Sequence, residues 1–596
     1  MLFMDIEADG LRPSKIWCVC TYDDVTGQKQ VFTEDTKDAC KTLLESADKV
    51  VGHNIISFDL PVLKKLWGIK VKCKNCFDTL VASRLADPRR EAGHSLKEWG
   101  IKLGNYKEHF EDWSHLSDEM IQYCHQDVAV TVDVYKAVMK ELKGFSQFSI
   151  DLEMRSQWIL SQQHYDGFAF DRDAAVALKN KMMDEYFPLI QKLQQAFPPR
   201  KVLIGQYKAR RKQDGALTAT SKRIILKPTV EFSGEKDLYN VYEWKEFMID
   251  SPAEIRERLE PYWHPVVLNP PTKKGEQTAK ICPENLETVD DDAPEAIKDL
   301  VRCKILKSRS TLVQSFLDAC WEDDRVHGDV ISVGAASNRM AHRNPNTGNI
   351  PSDKSLYGEE CRALFKAEEG KVIVGCDLAG IQLRALAHYV NDKDLINQIL
   401  HGDIHVHMAK IYGLLPEQAV YDETNHEHKM ARSRGKTITY AILMGAGAAK
   451  IGSLVGADAA KGREIINRLS SGIKGWAKFK QHIEVRAMHG YFTAIDGRRI
   501  KLVNSHLGMS YYLQSLEQAV IKYAMYLYHK KLKKAGVPFK QVAVVHDEFQ
   551  VECRQEDAEI VGKTIAQSMT EAGVFFKLNI PVEGEYKIGK NWKETH

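Results

Sequence analysis

The stretch VAVVHDEFQVEC, residues 542–553, begins as an apolar run and then places His546, Asp547 and Glu548 side by side. An unpaired charge inside a buried strand is strongly unfavourable, so such acids usually lie at a turn, in a salt bridge or beside a cation. Taken alone, the stretch is most simply explained as the tip of a β-hairpin at a sheet edge. The rest of the chain has to decide between a plain turn and a cation site.

Length and composition predict an ordinary globular protein of several domains. The chain has 596 residues, 44% of them hydrophobic, which is more than one hydrophobic core usually holds. The 83 Lys and Arg residues nearly balance the 81 Asp and Glu residues, so overall charge neither favours nor excludes a nucleic-acid partner. The N-terminal MLFMDIEADG lacks the pattern of a signal peptide, and no apolar run predicts a membrane span. The cysteines are scattered and Cys73-x-x-Cys76 has no second pair, so we interpret that pair as structural and expect a reducing cytoplasm.

The chain divides into an α/β region and a longer region that begins as helix. Residues 1–145 alternate strand and helix patterns, from the strand MLFMDIEA to the helix LPVLKKLWGI. From about Gln147 an amphipathic helical pattern continues towards Pro198-Pro199. Residues 200–227 are the most basic stretch, which is typical either of a solvated loop or of an arm that follows a phosphate backbone.

A first group of acids begins on the first predicted strand, where period-two alternation points Asp5 and Glu7 to the same side. Asp59 follows in GHNIISFDLPVL, and Tyr123 and Asp127 lie one helical turn apart in YCHQDVAVT. Each acid alone has a plainer explanation as a helix cap or a solvated residue. Together, DxE, then HNxxxFD, then YxxxD resemble the DEDDy class of 3′-5′ exonucleases. The resemblance implies that the four acids hold two divalent metal ions and that the tyrosine positions the attacking water.

A second group lies in the C-terminal half. KVIVGCDLAGIQLRALAHYV is an apolar strand that ends at Asp377 and turns into a helix, and this acid could share two metal ions with the distant Asp547. In ARSRGKTITYAILMGAG, successive i+4 positions place two cations and two flat or polarizable side chains on one helix face, namely Arg432, Lys436, Tyr440 and Met444. That face suits a nucleoside triphosphate, although an amphipathic helix with surface cations is the default explanation for any single helix of this kind.

Three ordered segments, DLAGIQLRALAH, RSRGKTITYAILMGAG and VVHDEF, resemble motifs A, B and C of family A DNA polymerases. NRMAHRNPNTGNIPS, GDIHVHMA and DGRRIKLVN extend the resemblance over nearly the whole chain. It implies an α/β RNase H-like exonuclease domain followed by an α+β right-hand polymerase domain with palm, fingers and thumb. No 5′ nuclease segment precedes the first strand, so the layout resembles the bacteriophage branch and implies a proofreading DNA polymerase that replicates a phage genome.

The resemblance also implies domain boundaries. They are 1–145 for the exonuclease domain, 146–330 for the thumb with a basic insertion near 200–227, 331–395 for the first part of the palm, 396–500 for the fingers and 501–596 for the second part of the palm.

Roles at the polymerase site follow from the same resemblance. Asp377 and Asp547 are expected to bind two Mg²⁺ (or Mn²⁺) ions, with Glu548 auxiliary, and the exonuclease site is expected to bind two ions of its own. The residues expected to bind the nucleotide are His405, Arg432, Lys436, Tyr440, Gln382 and Met444. The residues expected to contact DNA are Arg339, Gln514 and His546 at the active site and Lys273, Lys274, Arg210 and Arg211 in the thumb. We expect primer-template DNA and dNTPs as partners in the cytoplasm of an infected bacterial host, with a phage helicase-primase as a further candidate.

Three positions depart from the family pattern. Gln382 and Met444 stand where relatives usually have Glu and Tyr, and we expect these two departures to form one unit beside the nucleotide sugar. Glu517 stands in QSLEQA, where relatives have small residues, and the sequence offers no role for it.

Three other functions compete with a DNA polymerase: a nuclease-only enzyme, a non-catalytic DNA-binding scaffold and a single-subunit RNA polymerase. The first two predict gaps in the second group of residues, but Asp377, Asp547, Arg432 and Lys436 are all present. An RNA polymerase of this type would not usually carry a proofreading domain.

Overall fold

A five-stranded sheet flanked by helices forms the N-terminal region of the computed structural model, which describes residues 1–106, 110–265, 267–270, 272 and 277–596. Its elements are β1 (Leu2–Ala8), β2 (Ile16–Asp23), β3 (Lys29–Phe32), α1 (Lys37–Ser46), β4 (Val50–Gly52), α2 (Asp59–Leu66), β5 (Cys76–Asp78), α3 (Thr79–Ala86), α4 (Leu96–Leu103) and α5 (Asp118–Glu141). The strand order is β3-β2-β1-β4-β5, with β1 antiparallel to β2 and parallel to β4. The predicted α/β fold is confirmed, and β1, which carries two acids, is its central strand.

The middle of the chain contains strands that the sequence patterns did not predict. The elements are α6 (Gln147–Asp166), β6 (Phe168–Ala169), α7 (Arg172–Ala196), β7 (Arg200–Lys208), α8 (Ala219–Ile225), β8 (Val230–Phe232), β9 (Leu238–Lys245), α9 (Pro252–Leu259), α10 (Pro283–Leu286) and α11 (Glu295–Asp318). β7, β9 and β8 form an antiparallel sheet where we expected helix and a basic loop. β-branched and aromatic residues in RKVLIGQYK and LYNVYEWK favour strands and explain the difference.

Two compact units divide the chain. One comprises residues 1–172 and 315–596, and the other comprises residues 173–314. The second unit lies inside the range 146–330 that the sequence assigns to the thumb, whereas both predicted active sites belong to the first unit.

A four-stranded antiparallel sheet organises the C-terminal half. The elements are β10 (Arg325–Val326), β11 (Asp329–Ile331), β12 (Ala341–Arg343), α12 (Gly358–Ala363), β13 (Lys371–Leu378), α13 (Ile381–Val390), α14 (Lys393–His401), α15 (Ile404–Ile411), α16 (His426–Leu443), α17 (Ala448–Ser453), α18 (Ala459–Gly472), α19 (Trp476–Met488), β14 (Tyr491–Thr493), β15 (Arg499–Lys501), α20 (Ser505–Lys534), β16 (Phe539–Val545), β17 (Glu548–Arg554), α21 (Ala558–Phe575) and β18 (Gly584–Gly589). The strand order is β16-β17-β13-β18, and one continuous hydrophobic core joins this sheet to α13, α20 and α21.

The long helix α20 carries buried charges as well as apolar residues. Glu517 and Lys522 are almost completely buried on it.

In the part of the chain that the structure describes, no helix combines the length and apolar character needed to cross a membrane.

Candidate active sites

The first candidate site lies between β1 and α5. Oxygen atoms of Asp5 and Glu7 lie within 4.8 Å of each other and of the Cys124 thiol of α5, so these two strand acids face α5. Asp127, one turn further along α5, is buried, and so is Tyr123, whose ring centroid lies 5.8 Å from that of Trp113. The structure therefore brings the strand acids together with the helix that carries the other two predicted residues.

Asp59 joins this cluster at the start of α2. Burial, followed by the charges of Asp78 and Asp127, raises the pKa of Asp59 to about 7. Asp78 itself is held as a helix cap by the backbone N–H groups of Ile56 (3.1 Å) and Leu80 (2.9 Å). Burial therefore disfavours the ionised form of Asp59 and the two neighbouring acids add to this effect, whereas a bound Mg²⁺ would favour it, since carboxylate oxygens are the ligands that Mg²⁺ prefers.

Three thiols that the sequence did not single out lie behind these acids. Cys18 and Cys20 of β2 pair across the ladder with Glu7 and Asp5, and their sulfur atoms lie within 4.8 Å of the Cys124 sulfur. Strand alternation in the pattern WCVC places Cys18 and Cys20 on the same face of β2. Their contact with α5 depends on the packing of distant elements and cannot be read from this pattern.

The second candidate site is built on β13 and the hairpin of β16 and β17. His546 and Asp547 form the two-residue connection of this hairpin, where His546 adopts a left-handed conformation (φ 57°). Asp377 of β13 pairs with Glu548 across the ladder, and the Leu378 N–H donates to the Asp547 carbonyl oxygen at 3.2 Å. The stretch is thus a hairpin tip, and that tip delivers Asp547 to the end of the strand that carries Asp377.

Both acids of this site hold protons more tightly than usual. Partial burial, then the charges of Asp377 and Glu517, raise the pKa of Asp547 to about 8. Partial burial, then the charge of Glu548, raise the pKa of Asp377 to about 6. Two neighbouring carboxylates that resist ionisation together form a donor set that a divalent cation fits.

Glu548 lies opposite Asp377 on the ladder, and its carboxylate is held by residues near the C-terminus. Trp592 Nε1–H donates to its Oε1 at 2.7 Å, and His596 Nδ1 lies 3.0 Å from its Oε2. Burial acts to raise the pKa of Glu548, but these contacts and the hydrogen bond from Gln550 outweigh it and lower the pKa. Its hydrogen bonds are consistent with the auxiliary role that the sequence suggests.

Cations and a tyrosine approach the pair from α15 and α16. Arg432 Nε donates to Asp403 Oδ2 at 2.6 Å, and Asp403 also caps α15 by accepting from the His405 N–H at 2.9 Å. The rings of His405 and Tyr440 lie 6.3 Å apart. Burial and then the charge of Asp547 raise the pKa of Tyr440, so its hydroxyl lies within electrostatic range of that acid. Asp403, which orients the predicted Arg432 side chain and caps the helix that carries His405, was missed because its acid serves as an ordinary helix cap.

Burial, followed by the charges of Lys436 and Arg432, lowers the pKa of His405. A further anion between these three groups would be stabilised by them.

Arg339, Gln382 and Glu517 form a third part of the site. The Arg339 guanidinium donates to both Glu517 oxygens, from Nη2 at 2.8 and 2.7 Å and from Nε at 3.0 Å. Gln382 Nε2 donates to Glu517 Oε2 at 3.3 Å. Burial and then the Arg339 charge lower the pKa of His546, so the hairpin tip lies beside this group.

Gln514 and Met444 belong to a neighbouring contact. Gln514 Nε2 lies 3.4 Å from the Met444 sulfur and donates to Ser510 Oγ at 2.9 Å. The hydrogen bonds of Gln382 and Met444 thus go to different residues, so the structure gives each of these two departures its own partner.

The predicted thumb residues are only partly placed. Lys273 and Lys274 lie outside the described residues. Arg210 and Arg211 are exposed in the unit 173–314, and Arg211 forms a bidentate pair with Asp237, with Nε and Nη2 at 2.9 and 2.7 Å from Oδ1.

The two sites share a chemistry. Each brings together carboxylates that are partly shielded from solvent, and the second also includes arginine, lysine and histidine side chains on α15 and α16. Such arrangements bind divalent cations and activate phosphate esters.

Comparisons with known proteins agree with this chemistry. The model of "DNA polymerase family A" matches residues 232–594, and that of "3'-5' exonuclease" matches residues 5–143. A DNA-directed DNA polymerase of Escherichia phage T7 is 26% identical over 726 aligned positions that cover 100% of both chains. DNA polymerase I of Aquifex aeolicus is 26% identical, with 91% of this chain and 88% of that protein covered.

One solved structure shows the same fold. It is described as "POL domain of Pol1 from M. smegmatis complex with DNA primer-template and dNTP", and it has a TM-score of 0.75 and 17% identity over 100% of this chain and 95% of that chain.

Proposed function

The chain belongs to DNA polymerase family A and carries a 3′-5′ exonuclease domain, and from this premise we propose that it extends a DNA primer on a template at one site and removes misincorporated nucleotides at the other. The observation that carries the proposal is the meeting of Asp377, at the end of β13, with Asp547, at the hairpin tip. Phosphoryl transfer needs adjacent carboxylates of this kind to hold the charge-neutralising cations.

At the polymerase site, Asp377 and Asp547 would hold two Mg²⁺ ions. Bound there, such ions lower the pKa of a primer 3′-hydroxyl and neutralise charge on the triphosphate. Burial is the main cause of the raised pKa values of both acids, followed by neighbouring carboxylates, which are Asp377 for Asp547 and Glu548 for Asp377. A bound cation would stabilise the ionised form of each acid, which supports this assignment. Tyr440, whose hydroxyl lies within electrostatic range of Asp547, would stack on the incoming sugar and base.

The nucleotide phosphates would lie against α15 and α16. Arg432, Lys436 and His405 supply the positive charge and the hydrogen-bond donors that β and γ phosphates need. Asp403 holds the Arg432 side chain, so the guanidinium is oriented before the nucleotide arrives.

At the exonuclease site, Asp5, Glu7, Asp59 and Asp127 would hold the metal ions. Tyr123 would position the attacking water. The Phe110 and Trp113 rings contact the Tyr123 ring and would limit the movement of that side chain.

The partners follow from the relatives. Primer-template DNA and dNTPs are the substrates that we propose, because the mycobacterial structure of the same fold is a complex with both. Because a phage T7 DNA polymerase aligns over the full length of both chains, we propose that this protein replicates a phage genome in the cytoplasm of a bacterial host, with a phage helicase-primase as a candidate partner.

A substitution experiment at the two sites tests the proposal. The double variant Asp5→Ala/Glu7→Ala should degrade a labelled primer at less than about a hundredth of the normal rate while extending it normally, because each acid group anchors its own ions. Asp377→Ala or Asp547→Ala should abolish extension and retain degradation. Asp394→Ala, which removes an exposed acid paired with Lys474 at 3.0 Å, is the matched control and should change neither activity.

Parallel reactions with dNTPs, rNTPs or no nucleotide separate the competing functions. Extension with dNTPs alone supports a DNA polymerase, while efficient extension with rNTPs or loss of both activities in a single-site variant would contradict the two-site proposal.

A further inference from the structure

Glu517 is a buried acid in the middle of α20 that no pattern in the sequence explains. Its side chain is 1% exposed, and it lies within the group formed by Arg339, Gln382 and the hairpin tip. A buried carboxylate is unfavourable unless cations and hydrogen-bond donors compensate it, so its partners define what it does.

The compensation comes mainly from one side of the Arg339 guanidinium. Nε and Nη2 both donate to Glu517, at 2.7–3.0 Å, which fixes the plane of the guanidinium. Among the described residues, no hydrogen bond is made by the remaining nitrogen, Nη1, and Arg339 keeps 24% of its side-chain surface exposed. The pair therefore leaves one fixed donor edge available to a ligand.

Two further contacts set the position of Glu517. Gln382 Nε2 donates to Oε2 and Gln518 Nε2 donates to Oε1, both at 3.3 Å. The side-chain oxygen of Gln518, Oε1, accepts a hydrogen bond from the Met340 N–H at 3.4 Å. This bond connects α20 to the residue that follows Arg339. Arg339 is thus held at its side chain by Glu517, and the next residue along the chain is held at its backbone N–H by Gln518.

We propose that Glu517 is a positioning residue that determines specificity, because it locks the Arg339 fork so that Nη1 can donate only to a correctly placed acceptor on the minor-groove edge of a base pair. All correct base pairs present an acceptor at equivalent minor-groove positions, whereas a mismatch displaces it. A fixed donor loses this bond at a mismatch, while a mobile donor follows the displaced acceptor. Glu517 therefore sharpens discrimination rather than supporting extension in general.

This inference rests on the proposed polymerase function, and the test separates the two. All variants carry Asp5→Ala/Glu7→Ala so that proofreading does not remove mismatched termini. Single-nucleotide extension efficiencies, kcat/KM, are measured on matched and mismatched primer termini, and their ratio is the readout. If the background variant does not extend a matched primer, or if Asp377→Ala does not abolish that extension, the proposed function fails independently of Glu517.

Glu517→Gln keeps the shape of the side chain and removes its charge. The matched-to-mismatched ratio should fall by about tenfold or more, because charge-assisted bidentate bonds are among the strongest hydrogen bonds in proteins. Glu571→Gln makes the same change at an exposed acid that pairs with Lys531 at 2.7 Å, and it should leave the ratio unchanged. An unchanged ratio in Glu517→Gln, or an equal fall in both efficiencies, would overturn the proposal in favour of a purely structural role.

Two more variants keep the proposal testable if Glu517→Gln folds poorly, as judged by its thermal midpoint. Arg339→Lys retains the positive charge beside Glu517 but has no fork, and it should lower the ratio similarly. The isomeric double variant Gln382→Glu/Glu517→Gln returns a carboxylate to the same group and should recover part of the ratio; no recovery would overturn the charge-based role.

Discussion

A buried ion cluster connects α6, which follows the exonuclease domain, to the polymerase core. Glu153 of α6 accepts from Lys522 Nζ at 2.9 and 3.0 Å, and its Oε2 lies 2.8 Å from Arg498 Nη1. Lys522 Nζ also donates to the Asn338 carbonyl oxygen at 3.3 Å, directly before Arg339. We predict that Glu153→Gln loosens α20 and the segment between β11 and β12 that carries Arg339, because it leaves the Lys522 ammonium with a neutral partner.

The magnitude follows from burial and from the pKa of Lys522. Burial lowers this pKa from 10.5 to about 8, although the Glu153 charge opposes the shift. A pKa difference of one unit is worth about 1.36 kcal/mol, so the lowered pKa of Lys522 means that its charged form destabilises the folded state by roughly 3 kcal/mol even with Glu153 present. Removing one partner of a fully buried pair costs about 3–5 kcal/mol more, since the remaining charge is uncompensated.

The effect has a definite pH dependence. A base whose folded-state pKa is lowered contributes stability that increases with pH between its folded and unfolded pKa values. In the unmodified protein this window runs from about 8 to 10.5, so Lys522 has little effect on the pH dependence between pH 6 and 8. In Glu153→Gln the folded pKa falls below that window, so protection of α20 should decrease as the pH falls from 8 to 6.

Amide hydrogen exchange measured by mass spectrometry on peptides of α6 and α20 gives the local stability directly. A loss of 3–5 kcal/mol corresponds to a fall in protection between about a hundredfold and several thousandfold. The double variant Glu153→Gln/Lys522→Met removes both charges, while Arg498 keeps its 2.6 Å contact with Asp496, and should recover most of the protection. Unchanged protection in the single variant, or still lower protection in the double variant, would refute the reasoning.

Three further predictions concern the active site and the thumb. Tyr440→Phe should increase discrimination against dideoxynucleotides, because the Tyr440 hydroxyl can replace the missing 3′-oxygen; equal ddNTP/dNTP ratios in the two proteins would contradict this. The affinity for Mn²⁺ without DNA can be measured by electron paramagnetic resonance on the Asp5→Ala/Glu7→Ala background. It should rise by about tenfold per pH unit between pH 6 and 8 and then level off, because a proton on Asp547 competes with the ion below its pKa of about 8. A flat pH profile would contradict this assignment. Neutralising Arg210 should reduce the salt dependence of DNA binding by about one phosphate equivalent. Neutralising Arg211 should reduce it by less, because Arg211 is already paired with Asp237. Equal slopes of affinity against salt concentration in the two variants would count against a role for this pairing.

The sequence predicts the carboxylates because each lies on an element with a clear local pattern. Asp5, Glu7 and Asp377 lie on strands whose apolar residues identify them, and Asp547 lies at a turn that strand pairing brings to β13. The plain explanation of the opening stretch as a hairpin tip and its explanation as a cation site are both consistent with the structure, because the two-residue turn takes Asp547 out of the strand ladder and leaves it next to the strand that carries Asp377.

Features that depend on contacts between distant elements could not be predicted in this way. Glu517 and Arg339 are 178 positions apart, and neither has a local pattern that indicates the other. The sheet of residues 200–245 was missed for a different reason: its basic residues suggested a loop, while Lys201 is in fact compensated by Glu231 on another strand of the sheet. Charge density along a chain describes solvation, whereas pairing between strands depends on partners that the local sequence does not contain.

The two departures at Gln382 and Met444 illustrate the same limit within the active site. We expected them to form one unit, because each replaces a residue of a pair in relatives. In the structure Gln382 donates to Glu517, and the Met444 sulfur lies 3.4 Å from Gln514 Nε2. Glu517 of α20 supplies the negative charge beside Gln382 and Arg339. A carboxylate beside Arg339 can come from either helix, because the guanidinium needs a charge at hydrogen-bonding distance and not a particular backbone position.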